Sequence, residues 1–267
     1  MADDSTMINR AVLREQYTDD ARLAARQSLW RLRTGPALHD TVLNLARLQG
    51  TESIVDVGCG NGAYLAELHR RGHTGPVLGL DLSEGMARHS SVHALTAVAD
   101  AQALPLRDVS VDIVLSLHML YHVPNLNQAI SELRRVLRPS GTAMVATNGP
   151  GHTAEAKQIL AKAAREVADI DVELNWDTLR FHPEAAKDLL TNVFDEVALH
   201  ELGDSFPVRD PAIVRDYLAS WPPEAIGIHA GPVWNDVLAA ARELIAAHFT
   251  SHKEFLITSR VAVLRCT

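Results

Sequence analysis

Cysteine is scarce in this sequence: Cys59 and Cys266 are the only two, far apart, and the second is the penultimate residue. That excludes a disulfide framework and a cysteine-built zinc site, and it predicts a cytoplasmic protein. Positive charge is in deficit as well. The formal net charge is -8, and an acidic surface repels phosphate backbones, so nucleic acid is set aside as a partner. No stretch approaches the ~18 uninterrupted apolar residues of a membrane span. The opening run MADDSTMINRAVLREQY lacks the apolar centre of a signal peptide, so no membrane partner is expected either. Histidine is plentiful, with 13 residues, but no H-E-x-x-H pattern occurs. His118 and His122 stand four apart with no glutamate after His118, and no metal is predicted.

What is present is a long alternation of strand-like and helix-like segments, the pattern of an α/β chain with a parallel sheet. With 267 residues and 47% hydrophobic content, the chain suits one large domain. Strands are predicted over 53–58, 76–82, 95–100, 111–120, 142–148, 195–202 and about 255–265. Helices are predicted over 8–34, 63–72, 127–141, 153–170, 211–220 and 234–249, with a short one within 174–194 and one following Ser83. In 127–141 the stripe Ile130, Leu133, Val136 and Leu137 faces inward, and Pro139 and Gly141 end the helix. In 153–170 the inward stripe is Ile159, Leu160, Ala163, Ala164 and Val167. The first five strands come as βα-type units, and the helical insertions after strands five and six form a cap.

The densest chemical signal is VDVGCGNGAYL, residues 55–65, with Gly58, Gly60 and Gly62 in five positions. A glycine turn between a parallel strand and a helix lets a ligand approach backbone N–H groups at a helix N-terminus. Alone this is weak evidence, since Gly58, Gly60 and Ala63 also satisfy a dinucleotide pattern and a tight turn needs no ligand. Asp56 narrows the choice. A carboxylate there repels a pyrophosphate and suits a positively charged ligand. S-adenosylmethionine, with an ammonium and a sulfonium, has that charge. Asp81, ending the second strand, is placed to accept ribose hydroxyls, which serves a nicotinamide dinucleotide equally well. Asp100, ending the third, can accept from an adenine amino group while the Ala101 N–H meets a ring nitrogen. Ligands of open parallel sheets lie beyond the carboxyl ends of the strands, which gathers these stretches in one place.

Together VDVGCGNGAYL, LGLDLSEGM, VADAQALPLRDVSVDIVLSLHMLYHV and AISELRRVLRPSGTAMVATN resemble the class I S-adenosylmethionine-dependent methyltransferases, in the small-molecule group that includes ubiquinone- and menaquinone-type enzymes. The resemblance covers about 51–149 and, weakly, the last strand. It implies a Rossmann-like, seven-stranded sheet whose last strand runs antiparallel between strands five and six. It implies that Asp56, Gly58, Gly60 and Gly62, with Cys59 and Asn61 between them, frame the methionine part of S-adenosylmethionine. Asp81, Leu82 and Met86 then lie by the ribose, Asp100 and Ala101 by the adenine, and Ser116 to Tyr121, including Leu117, near the sulfonium. S-adenosylhomocysteine is the implied product. Residues 150–253 are longer than in the simplest members, and such insertions usually form the substrate lid.

Methyl transfer is an in-line displacement with a neutral leaving group, so alignment and exclusion of water dominate. A base is needed only for a protonated nucleophile. His118, Tyr121 and His152 are the catalytic candidates; His122, His182 and His229 are read as structural or surface residues and His248 as a core histidine. Tyr17 in the N-terminal helix is placed to close over the cofactor, beside Arg22, Arg26 and Trp30. Trp176, Phe181, Trp221 and Trp234 line either a substrate pocket or the core. The expected division is an N-terminal lid over 1–34, a cofactor half over 35–149, a substrate side over 150–253 and a final strand over 254–267. The acceptor is expected to be a small molecule, methylated on O, N or C, and the protein a monomer or homodimer. The 21 arginines against four lysines and the many alanines point to a GC-rich bacterial source and to secondary metabolism. Two rival readings stay open at this point. One is an NAD(P)-dependent oxidoreductase, although no Tyr-x-x-x-Lys set occurs. The other is a module that binds S-adenosylmethionine without transferring a methyl group.

Overall fold

A computed structural model describes residues 20–173 and 180–267; Tyr17 and Trp176 lie outside the described residues. The chain runs through helices α1 (Ala21–Trp30) and α2 (Leu38–Ala46), then strand β1 (Ile54–Val57), α3 (Ala63–Arg70), β2 (Val77–Asp81), α4 (Glu84–Ser90), β3 (Leu95–Val98) and β4 (Val111–Leu117). It continues with α5 (Leu126–Val136), β5 (Leu137–Asn148), α6 (Ala154–Ala168), α7 (Pro183–Thr191), β6 (Val197–Val208), α8 (Pro211–Ala219), α9 (Pro232–Ser251) and β7 (Phe255–Cys266). Among the described residues no helix is long and apolar enough to cross a membrane.

The sheet has seven strands in the order β3-β2-β1-β4-β5-β7-β6. The first five are parallel, and β7 runs antiparallel to both β5 and β6. The chain winds outward from β1 through β2 to β3, then returns to the far side of β1 for β4. That reversal opens a crevice at the carboxyl ends of β1 and β4, where doubly wound sheets take ligands. All four residues of β1 are buried, as a central parallel strand covered on both faces must be. Val55 and Val57 point into the core that α5 and α7 cover, with Ile130, Leu133, Phe181 and Leu190. Ile54 points into the opposite core with Val42, Leu43, Leu68 and Leu115.

A third apolar cluster lies beyond the crevice. Leu29 of α1, Leu160 of α6, Tyr217 of α8, Val237 of α9 and the outer ends of β6 and β7 share it with Trp221 and Trp234. α6 packs on α9, and α1 packs on α8. Trp221, Trp234 and Phe181 are thus core residues, in the cap and under the sheet respectively.

Several boundaries differ from the sequence pattern. The crossover from β3 to β4 carries no helix, so the early units are not uniformly βα. α5 stops at Val136 and β5 begins directly at Leu137, whose backbone is extended. Pro139 disfavours helical backbone at Arg138. At Gly141 an added Cβ would lie 3.0 Å from the Asp112 and Arg138 carbonyl oxygens, so the shift in the β4–β5 ladder needs glycine. β6 reaches Val208 rather than residue 202, paired throughout with β7, and Pro207 is tolerated because β6 is an edge strand. The α6 stripe is rotated. Ala156, Lys157, Leu160, Ala163 and Ala164 are buried, while Val167 is exposed.

Candidate active site

The glycine turn follows β1 at the crevice. Gly58, Gly60 and Gly62 all have positive φ, at 75°, 54° and 81°, a region that favours glycine. Crowding adds a second reason. A Cβ on Gly58 would fall 2.8 Å from Met119, and one on Gly62 would fall 2.9 Å from Ser90. The turn is tied to β2, because the Gly58 and Cys59 N–H groups both donate to the Leu80 carbonyl at 2.7 and 3.0 Å. Cys59 is buried, and burial, with Asp56 and Asp81 nearby, pushes its thiol up to about 12. It packs as an inert side chain.

Three strand-tip carboxylates stand around this turn. Asp81 ends β2 and accepts from the Gly60 N–H and the Ser83 N–H, each at 2.8 Å. Ser83 in turn caps α4 by accepting from the Met86 N–H at 3.2 Å, and Met86 is buried. Asp56 is 2% exposed, and its Oδ2 has no hydrogen-bond partner. Burial, reinforced by Asp81, lifts its carboxyl to about 7. Burial also raises Asp81. Asp100 accepts from the Gln102 N–H at 3.0 Å and from the Gln102 amide at 3.1 Å, next to the buried Ala101. A buried, unpartnered carboxylate is costly, and a cation removes the cost. Asp56 therefore fits the ammonium or sulfonium of S-adenosylmethionine. Within the turn the Gly58, Cys59, Gly60 and Gly62 N–H groups already donate to Leu80, Asp81 and Cys59 acceptors, so the expectation that the glycine N–H groups receive a ligand is not met there.

The tip of β4 supplies the second half. Ser116 is fully buried, with its Oγ unpartnered, and Leu117 is buried beside it. His118 has φ 56° and donates its N–H to the Ala146 carbonyl at 2.9 Å, which turns its side chain off the strand end. Burial, then the charge on Arg33, pushes the His118 imidazole down to about 4. Burial and Arg26 push His122 down to about 3. Tyr121 stacks edge-on with His122 at 4.5 Å. His152, after β5, is buried, and its Nδ1 accepts the Arg260 N–H at 3.0 Å, which leaves Nε2 to carry the proton. Burial, Lys157, His118 and Arg33 hold its imidazole well below the usual range. His118 and His152 are thus neighbours, both neutral near pH 7. The other histidines stand apart. His182 meets Glu184 at 2.8 Å beside α7, and His229 is exposed. His248 is not a core residue: it is half-exposed, its Nε2 lies 3.0 Å from the Glu254 carbonyl, and it stacks on His252.

α1 lies over the turn. The Gln27 and Asn61 side-chain amides exchange hydrogen bonds at 3.0 and 2.9 Å, and Leu23 would stand 3.1 Å from a Cβ on Gly60. Arg26 reaches across to α8, donating to the Ser220 carbonyl at 2.7 Å. Gln27→Ala removes both amide bonds from this latch. We expect the dissociation rate of S-adenosylhomocysteine to rise about five- to tenfold in stopped-flow displacement, since two neutral hydrogen bonds contribute about 1–3 kcal/mol at most. An unchanged rate refutes the latch.

Gln27, Leu23, Arg33 and Lys157 were not singled out from the sequence. Only Lys157 carried a local signal, as a lysine in register with Leu160 and Ala164 on the buried stripe of α6. His39, Asp40 and Glu67 bring ligand atoms within 4.8 Å of one another. However, Glu67 is held by Arg70 and Arg71, and Asp40 by Arg71, so they form an ion-pair cluster on the far face.

Comparison with known proteins agrees with this geometry. A family model described as a methyltransferase domain matches residues 55–145. A malonyl-[acyl-carrier protein] O-methyltransferase of Geobacter sulfurreducens is 35% identical over 136 residues, which is 48% of this chain and 51% of that one. The chain thus spans about half the length of that curated relative. A 27-O-demethylrifamycin SV methyltransferase of Amycolatopsis mediterranei is 26% identical over 194 residues, covering 66% of this chain and 69% of that one. A solved structure from Anabaena variabilis, described as a candidate methyltransferase of an antibiotic biosynthesis pathway, superposes with a TM-score of 0.63 at 21% identity, covering 86% of this chain and 96% of that one. Residues 55–145 match the methyltransferase-domain model, and the seven-stranded sheet gives the chain the same fold as the Anabaena variabilis structure.

Proposed function

We propose that this chain transfers the methyl group of S-adenosylmethionine to a small organic acceptor, on oxygen. The observation that carries the reading is Asp56, a buried carboxylate with an unpartnered oxygen directly beneath the glycine turn. The matched methyltransferase domain covers the same turn, and the relatives compared above are named for methyl transfer, one of them explicitly to oxygen. When bound, S-adenosylmethionine supplies an electrophilic methyl group on a leaving group that departs neutral. The chain's own residues bind and orient. Asp56 faces positive charge, Asp81 accepts from ribose hydroxyls while holding the turn, and Asp100 and Ala101 receive the adenine edge. α1 and the cap helices α6, α8 and α9 exclude water and enclose the acceptor. The NAD(P) reading fares worse, because it gives the buried Asp56 carboxyl no role and places it where its charge repels a pyrophosphate. Calorimetry tests the choice: S-adenosylhomocysteine binds and NADH does not. The opposite result overturns the proposal. Saturable binding with no methylated product from any acceptor, followed by mass spectrometry, leaves a binding module instead.

We read His118, at the tip of β4, as a residue of the reacting centre, so His118→Ala should lower turnover about tenfold or more while cofactor affinity stays within twofold. Unchanged turnover removes it from the reacting centre.

A further inference from the structure

Asp100 opens the segment that crosses from β3 to β4, and that segment contains no helix of its own. α5 supports it instead, through polar side chains along one face. The Gln128 amide donates to the Gln102 carbonyl at 2.9 Å. Glu132 Oε2 accepts the Leu104 N–H at 2.7 Å. Arg135 donates to the Leu104 and Leu106 carbonyls at 3.1 and 2.8 Å, while its own carbonyl accepts the Val109 N–H at 2.9 Å. Positions 128, 132 and 135 recur at helical spacing, so a single face of α5 grips the segment from Gln102 to Val109.

Gln102 carries this support to the strand tip. It is 8% exposed, and its side-chain Oε1 accepts the Asn125 N–H at 3.0 Å. A backbone N–H can only donate, so the amide has one orientation, with its oxygen towards Asn125 and its NH2 towards Asp100. That NH2 group donates to both carboxylate oxygens of Asp100, at 3.1 and 3.2 Å. The Gln102 backbone N–H adds a further bond to Oδ1 at 3.0 Å. Asn125 is itself fixed, because it caps α5 by accepting the Gln128 N–H at 3.1 Å.

We propose that Gln102 is a positioning residue for purine recognition: its amide, oriented from the start of α5, holds the Asp100 carboxylate in one direction, so that the site accepts a 6-amino purine and rejects a 6-oxo one. This rests on the methyl-transfer reading above, in which Asp100 and Ala101 receive the adenine edge. Adenine presents a donor, its amino group, beside an acceptor, N1. A carboxylate next to a backbone N–H is the complement of that pair. Hypoxanthine reverses both, with a carbonyl oxygen towards Asp100 and an N1–H towards the Ala101 N–H. A carboxylate able to turn aside tolerates the mismatch, whereas one pinned by two amide bonds does not. Sites built around a fixed polar group reject the mismatched analogue strongly, because both partners are then left unpaired.

The test uses the full chain and calorimetry with two ligands, S-adenosylhomocysteine and S-inosylhomocysteine, the second read by displacement of the first. The wild type should prefer the adenosyl ligand by about a hundredfold or more. Gln102→Met keeps the length of the side chain and removes the amide. It should weaken S-adenosylhomocysteine by about tenfold and leave S-inosylhomocysteine within about threefold, so the preference narrows. Gln102→Ala removes the same donors and should narrow the preference in the same direction, which covers the case of a methionine that does not pack. Melting curves confirm that the variants are folded. A structural role alone weakens both ligands alike and leaves their ratio unchanged. Two results overturn the proposal: a ratio within about twofold of the wild type in the folded variants, or a wild type that does not distinguish the two ligands. Failure of the wild type to bind S-adenosylhomocysteine at all removes the methyl-transfer reading beneath it, so the two failures are told apart.

Discussion

Asp81→Ala abolishes measurable binding of S-adenosylhomocysteine in calorimetry, and Gly60→Val does the same by a different route. The Asp81 carboxylate accepts from the Gly60 and Ser83 N–H groups, so it joins the glycine turn to the start of α4 and still has lone pairs for a ribose. Hydrogen bonds to a charged group contribute about 1.5–3 kcal/mol each. Losing two that shape the site, together with those to the ligand, weakens binding by about a thousandfold or more. Gly60→Val leaves Asp81 intact but puts a β-branched residue at φ 54°, where such residues are strained, and pushes a Cβ towards Leu23 of the lid at 3.1 Å. Far-ultraviolet circular dichroism checks that both variants stay folded. Affinity within threefold of the wild type in both would place the cofactor elsewhere.

The second large effect is one of pH. The Asp56 carboxyl has an ordinary value of 3.8 and lies at about 7 in the fold because burial, helped by Asp81, penalises its charge. Below pH 3.8 it is protonated in both folded and unfolded chains and costs nothing. Between 3.8 and 7 the folded chain keeps a proton that the unfolded chain has lost, so this contribution to stability falls as pH rises. Above about 7 the penalty is complete, about 4 kcal/mol. A bound cation reverses the balance by favouring the carboxylate. Affinity for S-adenosylmethionine, which carries both the ammonium and the sulfonium, should therefore weaken as pH drops below 7, by up to about tenfold per pH unit. Asp56→Asn should flatten that dependence, lower affinity at pH 8 and raise the melting temperature of the ligand-free protein. A ligand-free protein of equal stability in both forms at pH 8, or an unaltered pH profile of binding, refutes the reading of Asp56 as the cation's partner.

Much of this was legible in the residues because it is local. Short apolar runs bounded by glycine and proline mark parallel strands, and Gly58, Gly60 and Gly62 lie in a turn whose backbone and close neighbours exclude side chains. Asp56, Asp81 and Asp100 could be gathered in advance because strand ends of a parallel sheet share one edge. The misread boundaries are local contests. Leu137 is apolar and continues the α5 stripe, but the following proline and the β4 ladder claim its backbone for β5. Val167 fits the stripe by number, yet α6 meets its partners through a face turned towards Lys157.

The sequence by itself determined the alternation of parallel strands and helices, the glycine turn and the three acidic strand tips, since each is set by spacing within a few residues, whereas the seven-strand winding with its antiparallel last strand entered only as what the resemblance implies. Only the tertiary structure decided what meets those parts. Gln27 reaches Asn61 across 34 positions, Arg33 stands beside Asp204 in β6, and His152 accepts from Arg260 in β7. No periodicity records such contacts, because they follow from how the cap helices dock on the sheet. The unpartnered Oδ2 of Asp56 is likewise a property of the packed surroundings, since a carboxylate is isolated only when the fold has closed around it.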